Sequence, residues 1–327
     1  MAKKRIFITG GLGLIGHNVV RRLLDLGHEI SITDTQTNYG LVPQDELDYL
    51  MADRRNMINK AELRCHRLDI ADREGINWLV QTYQPDIVIH LASFPRQKVV
   101  NANPQSGSRS MSEGLLNLCE AAKCHNVEKF VYISSSMVYG DFADDVTEDA
   151  SCHPRGQYGI MKLAGEWLVR DYTRRGCFDH VVIRPSAVYG PRDVEDRVIS
   201  KFMLAAMRGQ ILRVNGPDES LDFTYVDDVA DGIVAASLQS QANNKTYNIT
   251  RGRSCTLLDA ANLAVRIAGR GSVEIQDRDP NFPSRGALNI TAARRDLGFD
   301  PRVDIEEGFQ RYHEWLANSI YWSKKTV

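Results

Sequence analysis

The feature that most restricts the fold is the run Thr9-Gly10-Gly11-Leu12-Gly13-Leu14-Ile15-Gly16, which ends a short apolar stretch and opens directly into a helical pattern. Glycine tolerates positive φ and lets the backbone approach a ligand closely, and the start of a helix exposes N–H groups that no helical carbonyl satisfies. Strand, glycine turn and helix in that order form an anion cradle suited to the two phosphates of a dinucleotide. Gly10, Gly13, Leu14 and Ile15 are the expected contacts.

Apolar runs of four to six residues alternate with helical stretches through the first half of the chain. Strands are expected over 5–9, 29–33, 63–68, 86–90, 129–134 and 180–184, and helices over 14–26, 73–83, 108–125 and 158–175. Strands alternating with helices build parallel sheets through right-handed crossovers, so the predicted class is α/β with a doubly wound parallel sheet. The charged segment 42–61 reads as a solvated surface helix inserted between two such units. Beyond 184 the alternation loosens around Pro185, Pro191 and Pro217, which predicts a smaller C-terminal lobe that binds substrate. The dinucleotide-binding body is expected to take residues 1–184, with 222–250 and 288–327 returning to it; the lobe takes 185–221 and 251–287. An amphipathic helix over 305–318 closes the chain.

With 40 Lys and Arg against 42 Asp and Glu, the formal net charge of −2 provides no long-range field to gather nucleic acid or anionic lipid. Phosphate recognition must be local. No apolar stretch reaches the roughly 18 residues of a membrane span. The basic start, Met1 to Arg5, precedes an apolar run too short for a signal peptide. A cytoplasmic protein with no nucleic-acid or membrane partner is expected. The six cysteines form no Cys-x-x-Cys pair and no cluster with histidine at ligand spacing, so no metal is expected and most of them read as small buried hydrophobes.

The second strand ends at Asp34, where a carboxylate grips ribose hydroxyls and repels a 2′-phosphate. With no arginine over 35–38, NAD is favoured over NADP. Farther along, Tyr158 and Lys162 stand four apart and share one helix face. An ammonium beside a phenol favours the phenolate, which turns a tyrosine titrating near ~10 into a base at neutral pH. The cluster Ser134-Ser135-Ser136 lies at the end of a strand, where open parallel sheets bind ligands, and a hydroxyl there can meet the tyrosine.

Further motifs are Asp69-Ile70 after the third strand, His90-Leu91-Ala92 after the fourth, Arg184-Pro185-Ser186-Ala187-Val188-Tyr189-Gly190-Pro191, and Asp222-Phe223-Thr224-Tyr225-Val226-Asp227-Asp228. With them, nearly the whole chain resembles the extended short-chain dehydrogenase/reductases that modify nucleotide sugars, the NAD-dependent epimerase/dehydratase family with its Rossmann fold. The resemblance implies Ser135 as the hydroxyl that holds the reacting sugar oxygen, Tyr158 as base, and Lys162 as its activator and a ribose ligand. It places Asp69 and Ile70 at the adenine, and Leu91 and Ala92 along the dinucleotide. It implies Arg285 as a clamp on the nucleotide diphosphate; Arg197, early in the small lobe, and Ser136 are further candidate substrate contacts, and Arg96 and Lys98 lie in the loop after the fourth strand, where they can face the sugar. Helices 108–125 and 158–175 resemble those that pair two subunits, so a homodimer is the default.

Dehydratases of this family carry an Asp-Glu pair just after the Ser/Thr position, and decarboxylases a Glu at the second place. Here those positions hold Ser136 and Met137, neither of which exchanges a proton as a carboxylic acid does. A nucleotide-sugar 4-epimerase is therefore the leading expectation. The alternatives are a dehydrogenase, ketoreductase or dehydratase of the same superfamily, and a non-catalytic dinucleotide-binding protein, against which the set Ser135, Tyr158 and Lys162 argues. The chain departs from the common pattern at Ala187 (usually Asn), at Ser220 and Leu221 (where an arginine is usual), at Met111 (Asn) and at Met161 (Ser).

Overall fold

A computed structural model describes residues 2–60, 63–193, 197–280 and 282–319. From the N-terminus, β1 (Arg5–Thr9) leads into α1 (Leu14–Asp25), β2 (Glu29–Thr33), α2 (Gln44–Met57), β3 (Leu63–His66), α3 (Arg73–Tyr83) and β4 (Ile87–His90). Two short helices, α4 (Gln97–Ala102) and α5 (Pro104–Ser108), continue through a π turn at Arg109–Glu113 into α6 (Gly114–Cys124). Then come β5 (Lys129–Ile133), α7 (Gln157–Arg174), β6 (Asp179–Arg184), β7 (Val188–Tyr189), α8 (Val198–Met207), β8 (Ile211–Asn215), β9 (Ser220–Leu221) and β10 (Thr224–Tyr225). The chain closes with α9 (Val226–Leu238), β11 (Lys245–Asn248), β12 (Cys255–Thr256), α10 (Leu257–Ala268), β13 (Ser272–Gln276), α11 (Thr291–Leu297) and α12 (Ile305–Asn318).

Seven strands form one parallel sheet in the order β11-β6-β5-β4-β1-β2-β3. The chain winds outward from β1 to β3, then returns to the other side of β1 and winds out again, which makes the sheet doubly wound. The reversal lies between β1 and β4, and ligands bind outside the carboxyl ends of the strands at such a switch point. Helices cover both faces, so β1 and β5 are buried along almost their whole length and read as continuous apolar runs.

A second core lies beyond the sheet, where Ile199, Met203 and Leu212 pack with Ala260, Phe309 and Tyr312. Here α8 lies against α10, and β8 pairs with β13. Segment 288–327, expected to return wholly to the main body, divides instead. Helix α11 packs on α9 and β11, whereas the apolar stripe of α12 (Phe309, Tyr312, Leu316) is buried in the second core. The last residues, 320–327, lie outside the described residues.

The reading of 42–61 as solvated is corrected. In α2, Leu47, Leu50 and Arg54 are buried because they recur at helical spacing on one face, and Leu50 belongs to the second core. The expectation for the cysteines holds only at Cys119: Cys65 and Cys124 are exposed and the other three half-buried. Strand β3, at the sheet edge, ends at His66 rather than 68. No described helix is long and apolar enough to cross a membrane.

Candidate active site

The glycine turn is shaped for close approach. A Cβ on Gly10, whose φ is +71°, would meet the backbone N of Ala92 at 2.7 Å, and one on Gly16 would meet the Gly10 carbonyl at 2.2 Å. Helix α1 therefore starts hard against the end of the sheet. Its N-cap, Gly13, offers no side-chain cap, which leaves the first-turn N–H groups for a ligand. Asp34 shapes the turn as well: one carboxylate oxygen accepts from the Leu12 N–H (3.0 Å) and the other from that of Gln36 (2.8 Å).

Gly10, Gly13, Leu14, Asp34, Asp69, Ile70, Leu91 and Ala92 all line the groove that runs from this turn across the switch point. Ile15 does not; its side chain packs against the main core, so only its backbone can serve a ligand there. Sequence reasoning missed Arg54, Tyr39 and Ser93, which also line the groove. The signal for Arg54 was a charged residue within the Leu47, Leu50, Met51 stripe of α2. A groove closed by glycines, with a carboxylate at the end of β2 and a buried guanidinium whose Nε has no hydrogen-bond partner, fits a dinucleotide diphosphate.

At the end of β5 the backbone turns through a short 3-10 segment, Ser136–Val138, capped by the Ser135 hydroxyl, which accepts from the Met137 N–H (3.2 Å). That hydroxyl also acts on the phenol of Tyr158, favouring its charged form. Burial raises the phenol's pKa, and the charge of Arg197 and then the Ser135 hydroxyl oppose the rise. Lys162 lies on the same face of α7, its Nζ 5.9 Å from the centre of the Tyr158 ring. The ammonium is not aimed at the phenol, however: it donates to the Ile133 carbonyl (2.8 Å). Burial pulls its pKa down to about 7, against the pull of Glu166. Arg197 is thus the cation whose charge most opposes the rise at Tyr158.

A buried polar network supports this strand end. Glu166, one turn beyond Lys162, accepts from Ser134 Oγ (2.6 Å) and takes two bonds from Arg184 (2.9 and 2.7 Å). Arg184 also donates to Tyr139 Oη (2.9 Å), which donates to Asn248 of β11 (2.8 Å).

The cavity above Tyr158 is lined by Arg96, Lys98, Met137, Ala187, Arg197 and Arg285, among others. Arg285 contacts Met137 Sδ (3.6 Å), its Nε is shielded without a partner, and burial lowers its pKa to about 10. Arg197 donates to the Val188 carbonyl (3.2 Å) and pairs with Asp193 (3.1 Å). Ser136 is not brought to this cavity: it is 1% exposed and its hydroxyl bonds Ser186, because the 3-10 turn points it into the sheet end. Met111 and Met161, which stand where polar residues are usual, pack in one apolar cluster with Phe94 and Tyr158. Among the described residues that line the cavity there is no Asp or Glu. No cluster of His, Cys, Asp and Glu among the described residues is arranged to hold a metal.

Residues 6–250 match the family model described as the NAD dependent epimerase/dehydratase family. An uncharacterised UDP-glucose epimerase of Bacillus subtilis is 28% identical over 97% of this chain and 99% of its own. A dTDP-glucose 4,6-dehydratase of Neisseria gonorrhoeae is likewise 28% identical, over 97% of this chain and 96% of its own. Among solved structures, the UDP-glucuronic acid 4-epimerase of Bacillus cereus, in complex with UDP-glucuronic acid and NAD, superposes with a TM-score of 0.88 at 25% identity, covering 96% of this chain and 99% of that one.

Proposed function

Because the chain belongs to the NAD-dependent epimerase/dehydratase family, we propose that it is a nucleotide-sugar 4-epimerase that keeps its NAD bound through the reaction. What NAD supplies when bound is reversible acceptance of a hydride. Gly10, Gly13 and Asp34 would hold its diphosphate and ribose, with Asp69 and Ile70 at the adenine. Tyr158, in contact with Ser135, takes the proton of the sugar hydroxyl and later returns it, while Ser135 holds the oxygen in place. Lys162 fixes the strand end and is placed to reach a ribose. The keto sugar would turn over within the cavity, between Tyr158 and Arg285, so that its other face could be reduced.

The observation that carries this reading is the wall beside Ser135. Met137 stands where elimination of water needs a carboxylic acid, and no described residue that lines the cavity provides one. Arg285, aimed into the cavity with an unsatisfied Nε, suits the nucleotide diphosphate. A homodimer through α6 and α7 belongs to the proposal, supported by Leu116, Ile160 and Trp167, which are 44%, 53% and 64% exposed on those helices.

The test is a thermal-shift panel of UDP-, dTDP-, GDP- and CDP-sugars, followed by NMR of the products formed from whichever sugar stabilises the protein. Epimers at C4 with neither net NADH nor loss of water are expected. A 4-keto-6-deoxy product, or NADH in proportion to turnover, would overturn the reading.

A further inference from the structure

Helix α2, expected to be a solvated surface helix, carries a charge inward. Arg54 is 4% exposed. Its two terminal nitrogens donate to backbone carbonyls, one to Leu12 inside the glycine turn (2.9 Å) and the other to Arg192 (2.5 Å). Its Nε is buried without a hydrogen-bond partner. Burial lowers its pKa to about 10, with Asp193 and Asp34 supporting the charge through space. A guanidinium neither solvated nor fully bonded is costly unless an anion completes it.

The second, independent observation is the turn itself. Helix α1, of 12 residues, begins at Gly13 with no side-chain cap, so its N–H groups point at the same space as Arg54. The neighbouring His17 cannot supply the positive charge. Its Nδ1 lies 2.8 Å from the Gly13 carbonyl, and burial, reinforced by Arg54, lowers its pKa to about 3, so it stays neutral at pH 7.

We infer that Arg54, delivered from an inserted helix, is a ligand of the cofactor diphosphate. The same helix is tied to the substrate side: Asp53 pairs with Arg192 (2.8 Å), whose carbonyl also binds Arg54. Residues 192–193 thus connect the cofactor's phosphates to Asp193 and its partner Arg197, the cation that acts on Tyr158. The inference concerns the cofactor groove alone and does not depend on which sugar is epimerised.

The test uses the full chain, with dissociation constants measured by calorimetry for NAD, ADP-ribose and adenosine. In Arg54→Met, affinity for NAD and ADP-ribose should fall roughly 10- to 100-fold while that for adenosine, which has no phosphate, changes less than about twofold. Arg54→Lys, which keeps the charge and most of the packing, should recover part of the loss and keep the steep fall of ADP-ribose affinity with salt that Arg54→Met loses. Unchanged ADP-ribose affinity in a folded Arg54→Met protein would overturn the inference. So would an equal loss for adenosine and ADP-ribose in either variant, since that outcome marks a purely structural role.

Discussion

The cofactor groove and the substrate cavity share Arg96 and Arg197 on their walls yet are built in opposite ways. The groove is built around the backbone of the glycine turn, with Asp34, Arg54 and Asp69 among its walls. Its glycines, the α1 N-terminus and the ends of β1, β2 and β4 sit within bonding distance of one another, and Asp34 fastens the turn directly. The cavity is made by side chains from segments far apart in sequence, around residues 96, 137, 158, 188, 198, 222 and 285. Its cation Arg285 has a nitrogen left unsatisfied, and its Ala187 adopts a left-handed backbone at φ 37°. The difference teaches where each side's stability comes from. Each side keeps a desolvated guanidinium for an anion, Arg54 in the groove and Arg285 in the cavity; they differ in that the glycine turn is set at close range by one strand-turn-helix unit, while the cavity is assembled from side chains of distant segments.

If the two regions are separable in this way, the largest effect comes from the reacting phenol. Tyr158→Phe should lower kcat by about 10²- to 10⁴-fold, and NAD should remain bound in the purified protein. Loss of NAD along with turnover would show that the halves are not independent. The converse probe is Gly16→Ala, whose new Cβ would meet the Gly10 carbonyl at 2.2 Å and the Gly11 backbone at 2.9 Å. It should empty the protein of NAD and cost about 1–3 kcal/mol in urea unfolding. An alanine variant that still copurifies with NAD would contradict the close packing of the turn.

This contrast also explains what could be read from the residues alone. The glycine turn follows from short-range spacing within one strand-turn-helix unit, and Asp34 and Ala92 join it because β1 pairs with β2 and β4. Strands and helices were legible for the same reason: their apolar periodicity is local. The role of α2 was not, since its charge count hid a buried stripe that ends in Arg54. Nor was the direction of the Lys162 ammonium, which is decided by the carbonyl at the end of β5 rather than by the four-residue spacing to Tyr158. Ser136 failed for a related reason, as a 3-10 turn after Ser135 rotates it away from the cavity.

A mid-sized effect is expected at Arg285. Arg285→Met removes a charge that burial disfavours, so the ligand-free protein should gain about 1–3 kcal/mol in stability while the melting-temperature rise given by a nucleotide sugar disappears. Opposite signs in the two measurements are the signature of a cavity completed by its ligand. A variant that is less stable and still responds to the sugar would place the diphosphate elsewhere.

Lys162 sits between the two regions and gives a pH test. Its pKa is about 7 when folded and near the ordinary lysine value of 10.5 when unfolded. Between those values the unfolded chain holds a proton that the native protein lacks, so this lysine's contribution rises with pH across the window and is lost as pH falls toward 7. Unfolding of the NAD-free protein should therefore cost about 1–2 kcal/mol more at pH 9 than at pH 7.5, and Lys162→Met should flatten that slope. An unaltered slope in Lys162→Met would assign it to other groups.

The smallest expected change tests the strain on the substrate side. At φ 37° Ala187 occupies a region that costs an alanine about 1–2 kcal/mol and that asparagine enters far more readily, because its short amide bonds to the nearby backbone. Ala187→Asn should accordingly raise stability by about 0.5–1 kcal/mol and, since residue 187 lines the cavity, add a hydrogen-bonding group within reach of the sugar. A higher urea midpoint with an unchanged m-value would show that the strain belongs to the native backbone at this position. If asparagine lowered the midpoint instead, backbone strain at residue 187 would not be a feature of the native cavity wall.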